Sequence, residues 1–376
     1  MPTGVAVDSR GVIYIADAAA QRIRVIARDG QVSTLAGGGP LEANSTWVAG
    51  GFSNGPGTSA RFNSPMGIAV SPDGGKIFVA DSMNHCIRII TRDGSVATYA
   101  GRPGQAGKAD GPAQTAEFER PMGLALDKKG TLYVADYGVG VRKIDSAGEV
   151  ATTSISATDT TGVTVSPGKR GTIVAAADSG IYFTHPESKM WDRIANDESR
   201  GKGETLRPAS FYDVGHPVAV TALSDDDIVY TDLRTGALRY LNLYLGTLRV
   251  LTGNAGSDVA NDQAGYRDGP LPVALLNEPL GITLGAQNSI VIADTGNRRI
   301  RRLTGLNLRG PVMPETQLLA PSAPPKTYRI AYVGNSFVWH NTMWDDSIEG
   351  RLQERLNVDG ALARSHRTTY VTPYRI

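Results

Sequence analysis

Mostly polar residues occupy the two positions before a recurring proline at four places in the chain. These pairs are Asn63 with Ser64, Glu119 with Arg120, Gly215 with His216, and Asn277 with Glu278. Amide and carboxylate oxygens are the ligands that Ca²⁺ prefers, whereas an imidazole with a carboxylate suits Zn²⁺. A bound metal could polarise a carbonyl or phosphoryl oxygen and activate a water molecule, with a nearby imidazole or carboxylate as the base.

This pattern predicts a metal-assisted hydrolytic site. We expect the metal ligands to be Asn63, His216, Asn277 and Glu278, with calcium favoured over zinc. His216 or Glu278 would act as the catalytic base, and Ser64 and Arg120 would bind the substrate. The alternative is a solvated rim whose side chains only cap turns, because a site needs groups that converge in a pocket.

A second candidate is Ser336 in "RIAYVGNSFVWHN" (329–341), where an apolar run leads into Gly-Asn-Ser. The following "DDSIEGRLQERLN" places Ile348, Leu352 and Leu356 at i, i+4 and i+8, which predicts an amphipathic helix. Strand, Gly-Asn-Ser, loop and helix over residues 327–358 resemble the opening of an SGNH (GDSL-like) hydrolase domain. The resemblance implies that Ser336 is a nucleophile, but the Asp-x-x-His that supplies the base is missing, so Ser336 would act only if that domain were completed.

The elements that must position the first candidate come from an internal repeat. Clear copies are "SPMGIAVSPDGGKIFVADSMNHCIRIITRDGSVATYAG" from Ser64 and "RPMGLALDKKGTLYVADYGVGVRKIDSAGEVATTS" from Arg120, with others near residues 1 and 278. Two weaker copies lie between them, which makes six. Each alternates apolar and polar residues between Asp-Gly or Lys-Gly turns, so each predicts three or four antiparallel strands. Six such sheets around an axis make an all-β, six-bladed β-propeller.

The motif P-x-G-[IV]-A-[VL] followed by [YF]-[VI]-A-D-x-x-N-x-x-[IV]-R resembles the NHL repeat over about residues 2–310. Gluconolactonase-like and paraoxonase-like propellers, which share six blades, hold a metal on the axis, and this resemblance implies the channel mouth as the place for a site. A peptidyl-amidating lyase activity is disfavoured, because only His216 falls where those enzymes place several histidines.

Two further features recur within the repeat. An Asp ends the second strand (Asp17, Asp81, Asp136, Asp178, Asp232 and Asp294), where it can bond backbone N–H groups at a turn. An Arg about seven residues later (Arg24, Arg88, Arg239 and Arg301) is expected to pair with a neighbouring blade. Inserts with the spacing G-x-x-[DN]-G-P (51–67, 107–123 and 265–281) would join one blade's outer strand to the next blade's inner strand.

Composition limits the class of protein. Lys and Arg (38) nearly balance Asp and Glu (37) without a basic run, so a nucleic-acid partner is not expected. No apolar stretch approaches the roughly 20 residues of a membrane span, and the start has no signal peptide. As expressed, the chain would be cytoplasmic, whereas both ends appear cut from a longer, periplasmic or secreted parent protein.

We expect three parts: a propeller (1–310), a Pro-rich linker (311–326) and a truncated SGNH-like α/β fragment (327–376). The expected function is hydrolysis of an ester, lactone or phosphoester bond by a monomer, on a small-molecule or polysaccharide-ester ligand. A non-catalytic ligand-binding or scaffolding propeller, or a carrier of the SGNH fragment, remains the alternative.

Overall fold

The computed structural model describes residues 1–41, 48–184, 190–194, 214–252, 265–306, 329–333, 336–340 and 370–375. In the last three ranges it describes the backbone alone. Within these ranges the elements are strands and one-turn 3₁₀ helices, the latter at Ala18–Ala20, Gly57–Ser59, Ser82–Asn84, Leu271–Val273 and Ala286–Asn288. No helix there is long and apolar enough to span a membrane.

Six antiparallel sheets follow one another along the chain. Sheet 1 contains β1 (Pro2–Val7), β2 (Ile13–Asp17), β3 (Arg22–Ile26) and β4 (Val32–Gly37). Sheet 2 contains β5 (Gly55–Pro56), β6 (Pro65–Val70), β7 (Lys76–Asp81), β8 (Cys86–Thr91) and β9 (Ser95–Ala100). Sheet 3 contains β10 (Gly111–Pro112), β11 (Pro121–Leu126), β12 (Leu132–Asp136), β13 (Gly140–Ile144) and β14 (Glu149–Thr152).

The remaining sheets repeat this order. Sheet 4 contains β15 (Thr160–Val165), β16 (Ile173–Ala177), β17 (Gly180–Thr184) and β18 (Asp192–Ile194). Sheet 5 contains β19 (Pro217–Ala222), β20 (Asp227–Asp232), β21 (Ala237–Asn242) and β22 (Thr247–Thr252). Sheet 6 begins with β23 (Gly269–Pro270), β24 (Pro279–Leu284), β25 (Ile290–Asp294) and β26 (Arg299–Thr304).

The first long strand of each sheet lines a common axis. These six strands are β1, β6, β11, β15, β19 and β24; each packs against the next, and β24 packs against β1, so the ring is closed. Apolar clusters fill the spaces between sheets, and one of them joins Val5 and Ile13 of sheet 1 to Val291 and Ile300 of sheet 6. The predicted six-bladed β-propeller is therefore confirmed.

Glycine in the Pro-x-Gly motif permits the close approach of neighbouring first strands. A Cβ added to Gly67 would lie 2.0 Å from the backbone oxygen of Met122 in the next sheet, and one added to Gly4 would lie 2.3 Å from that of Met66. Equivalent glycines in sheets 3, 4 and 6 meet the same kind of neighbour. Since equivalent positions lie side by side around the axis, the residues that precede each strand all lie at one mouth of the channel.

The three inserts also extend the sheets. In each, the Gly-Pro dipeptide (β5, β10 or β23) pairs as a short fifth strand with the outermost strand of the sheet that it precedes. In sheet 6 that outermost strand is β29 (Tyr370–Arg375), which also pairs with β26. The sequence analysis had not assigned residues 370–375 to the propeller.

Contacts group residues Met1–Leu308 with Thr369–Ile376, and residues Arg309–Thr368 form a second unit. In the second unit, β27 (Arg329–Val333) and β28 (Ser336–His340) pair as an antiparallel hairpin in which Val333 lies opposite Ser336. The expected strand is present, but the residues directly after Ser336 form a paired strand rather than a loop. The linker (311–326) and the predicted helix around Ile348 lie outside the described residues.

Candidate functional site

The aspartates that end the second strands hold the chain at the channel mouth. The carboxylate of Asp136 accepts hydrogen bonds from the backbone N–H groups of Glu119 and Arg120, at 3.2 and 2.8 Å. Asp81, Asp232 and Asp294 accept the equivalent bonds from Asn63, His216 and Asn277 at 2.7, 3.1 and 2.8 Å. These aspartates therefore fix the backbone of the residues that were predicted to form the site.

In sheets 2, 3 and 6 a buried arginine completes this arrangement, which we call the Asp–Arg clamp. Arg88 donates to Asp81 at 2.7 Å, to Asn54 Oδ1 at 2.8 Å, and to the backbone oxygens of Ser53 and Arg61. The other two clamps are Asp136–Arg142–Asp110 and Asp294–Arg301–Asp268. Each arginine thus joins its own sheet's aspartate to the preceding insert, which corrects the expected pairing with a neighbouring blade.

The clamps are buried ion pairs, and their guanidinium groups lie over aromatic rings. Arg88 lies over the rings of Phe52 and Phe62, with its guanidinium carbon 4.5 and 5.1 Å from their centroids. Burial raises the pKa of Asp81 above its usual range, although the hydrogen-bond donors and Arg88 act in the opposite direction. Burial likewise raises the pKa of Asp136 to about 6, and its arginine is more distant, at 3.4 Å. These groups are structural because the carboxylates and the terminal guanidinium nitrogens bond partners within the protein, whereas Nε of Arg88, Arg142 and Arg301 has no hydrogen-bond partner among the described residues.

The channel behind the mouth is apolar. Its lining consists of three residues from each first strand, among them Met66, Met122 and Leu280, and none of the 18 lining residues is ionisable. The space measures about 570 Å³ including its open mouths. Charged chemistry in the described part of the channel can therefore occur only at the rim.

The four predicted metal ligands differ in their surroundings. The Oδ1 of Asn63 lies against Gly50, where an added Cβ would be 2.2 Å away, and the amide of Asn277 lies against Gly296, where an added Cβ would be 2.6 Å away. Glu278 is exposed and adopts a left-handed backbone conformation (φ 46°). Within the described ranges, no three His, Cys, Asp or Glu side chains are close enough to hold a metal ion. The predicted set includes two asparagine amides besides His216 and Glu278, and the metal site stays a prediction.

The two predicted substrate-binding residues differ in their surroundings. Ser64 has a positive φ (53°), as Glu278 has at the equivalent position, and its N–H donates to Gln21 Oε1 of sheet 1 at 2.7 Å. Because the positive φ recurs, it belongs to the bend that enters the first strand. Arg120 is exposed, so its guanidinium is accessible to an anionic group at the rim.

His216 faces a carboxylate across the boundary between sheets 4 and 5. Its Nδ1 lies 3.6 Å from Oδ1 of Asp178, and the two side chains are 46% and 48% exposed. Asp178 was interpreted from the sequence as one more turn aspartate. The signal against that interpretation is that the fourth repeat has no proline before its first glycine and no arginine seven residues after Asp178. Asp178 therefore has no clamp arginine in its own repeat.

Ser336 begins β28, and its side chain lies outside the described part of the structure. Arg142 was also missed from the sequence, because it follows its aspartate by six residues rather than seven. His85 is half-buried, and its Nδ1 lies 2.6 Å from the backbone oxygen of Glu119 in the next sheet.

The fold is a six-bladed β-propeller, and parts of the chain are similar to the NHL repeat and to gluconolactonase-like propellers. An NHL repeat matches residues 1–26, and the family described as SMP-30/Gluconolactonase/LRE-like region matches residues 58–169. Neither match reaches residues 327–358, so the SGNH resemblance there is unsupported.

Three known proteins illustrate the likeness. Protein SUPPRESSOR OF QUENCHING 1, chloroplastic, from Arabidopsis thaliana is 26% identical over 271 residues, which are 65% of this chain and 25% of that protein. A structural genomics protein of unknown function from Bacteroides thetaiotaomicron matches with a TM-score of 0.57 at 16% identity, covering 80% of this chain and 68% of that one. A gluconolactonase from Xanthomonas campestris matches with a TM-score of 0.50 at 12% identity, covering 77% and 82%. This chain spans only a quarter of the Arabidopsis protein, and the two structures show likeness of fold alone.

Proposed function

We propose that the channel mouth hydrolyses an ester or lactone bond, with His216 as the general base and Asp178 as the residue that supports it. The observation that carries the proposal is the 3.6 Å separation of His216 Nδ1 and Asp178 Oδ1 at the rim. The gluconolactonase-like region in residues 58–169 supports the choice of reaction. Phosphoesters and polysaccharide esters are further substrates to test.

The geometry suits proton transfer. Because Nδ1 of His216 faces Asp178, Nε2 is left to take a proton from a water molecule, and the carboxylate stabilises the imidazolium that forms. The resulting hydroxide attacks the carbonyl carbon, the C–O bond to the leaving alkoxide breaks, and the imidazolium returns its proton to that alkoxide. For a lactone the product is a single hydroxy acid.

Other rim residues have supporting roles in the proposal. Arg120 is exposed at the same mouth and would bind an oxyanion or an acidic substituent of the substrate. The apolar wall around Met66, Met122 and Leu280 would take an uncharged part of the substrate. The proposal needs no metal ion in any of these steps.

The test is a panel of chromogenic esters, lactones and phosphotriesters, measured with and without EDTA. We expect His216→Ala to lower kcat/KM by about 10²- to 10⁴-fold. We expect Asp178→Asn to lower kcat by a smaller factor and to shift the acidic limb of the pH–rate profile to lower pH, because the imidazolium loses its supporting carboxylate. The matched control is His85→Gln, which copies the residue that the first repeat carries at this position, Gln21.

Three outcomes would contradict the proposal. Activity that survives in His216→Ala but not in Ser336→Ala would assign the reaction to the serine. Activity lost to EDTA and to Glu278→Ala would support the metal-assisted site predicted from the sequence. No activity on any substrate would favour the binding alternative, which the uncharged channel wall also supports.

A further inference from the structure

The outermost strand of sheet 6 is attached differently from the other outermost strands. In sheets 1 to 5 the third and fourth strands are joined by three to seven residues, for example 243–246 between β21 and β22. In sheet 6, residues 305–369 intervene between β26 and β29, a connection of 65 residues. The connection to β29 is therefore far longer than that of any counterpart, and closing a longer connection costs more conformational entropy.

Two of the residue pairs between β26 and β29 are also unfavourable. Six residue pairs run from Arg299 opposite Arg375 to Thr304 opposite Tyr370. The first pair sets two arginines against each other, and like charges directly opposite each other destabilise a sheet. Opposite Arg301 stands Pro373, which has no N–H to donate.

Other residues of sheet 6 keep the positively charged side chain of Arg299 at this edge. The guanidinium carbon of Arg299 lies 3.8 Å from the ring centroid of Tyr266, which keeps the side chain in place. The nearby carboxylate of Asp268 is engaged by Arg301 at 2.6 Å and by the hydroxyl of Tyr266 at 2.5 Å. An acidic residue opposite Arg299 would therefore be favoured over the arginine that stands there.

We propose that the outer edge of β26 is an acceptor for an extended segment of a partner protein, acidic at the position now held by Arg375. β29 is the chain's own occupant of this edge and leaves when such a segment binds. An unpaired strand edge offers its backbone N–H and C=O groups to an incoming strand, so the backbone supplies affinity and Arg299 supplies selectivity.

The test uses the full chain and three fluorescent peptides with the sequence of residues 369–376: the native one, Arg375→Gln and Arg375→Glu. We expect fluorescence anisotropy to show binding in the order Glu, Gln, Arg, with about threefold to tenfold between the first and the last and a smaller difference at high salt. A scrambled peptide with the composition of the Glu variant is the control.

Hydrogen exchange on the intact chain provides the second measurement. We expect the amides of β29 to exchange at least tenfold faster than those of β22, its counterpart in sheet 5, and to lose further protection when the Glu peptide binds. Equal protection of β29 and β22, or equal binding of the Glu and scrambled peptides, would overturn the proposal. A dimer that forms on concentration, without preference for the Glu peptide, would also overturn it, because the occupant would then be a second copy of this chain.

Discussion

Replacing Arg88 by methionine tests whether the Asp–Arg clamp holds its insert on the propeller. The substitution keeps much of the aliphatic volume but removes a guanidinium that bonds Asp81, Asn54 and two backbone oxygens. It leaves the fully buried carboxylate of Asp81 without its ion-pair partner. Breaking a buried pair in this way costs about 3–5 kcal/mol, so we expect the free energy of unfolding to fall by that amount.

The matched control is Arg24→Met in sheet 1. Arg24 follows Asp17 by seven residues, as Arg88 follows Asp81, but it makes one exposed bond, to the backbone oxygen of Ser33 at 3.3 Å. We expect this change to cost no more than about 0.5 kcal/mol. Urea unfolding followed by far-ultraviolet circular dichroism measures both variants.

A double-mutant cycle completes the test. If the clamp acts as a pair, Asp81→Asn combined with Arg88→Met should cost less than the sum of the single changes, by about 1–3 kcal/mol. A loss below about 1 kcal/mol for Arg88→Met, or equal losses for Arg88→Met and Arg24→Met, would refute the reasoning.

Two further predictions concern the axis and the pH dependence. Gly67→Ala should destabilise the fold by about 3 kcal/mol or more, because its Cβ would lie 2.0 Å from the Met122 backbone oxygen. The control is Ala219→Gly, at the equivalent position of sheet 5, which should cost about 1 kcal/mol or less. Urea unfolding compares the two variants. For Asp136, the folded pKa of about 6 exceeds the usual value of 3.8, so its contribution to stability is fully present only below the usual pKa and is lost as the pH rises through about 6. Asp136→Asn should abolish this fall, of about 2 kcal/mol between pH 4.5 and 6.5, in unfolding measured at those two pH values, and an unchanged pH dependence would contradict the assignment.

The sequence by itself determined the strands, the number of sheets and the turn aspartates. These are local properties: apolar alternation sets which face of a strand is buried, and Asp-Gly turns set where it ends. The Pro-x-Gly motif also marked the inner strands, and the structure adds the reason, since Gly67 and its equivalents lie against the backbone of the next sheet.

Only the tertiary structure decided what each side chain faces. Arg88 reaches Asn54, 34 residues away, because the insert folds back over its own sheet. The amide of Asn63 lies against Gly50, although its position in the repeat predicted a metal ligand. His216 faces Asp178, which belongs to the preceding sheet. Repeat position places a residue at the mouth of the channel, but its side-chain direction depends on neighbours that are distant in sequence, and these are brought close only when the inserts fold over their sheets and the sheets pack together.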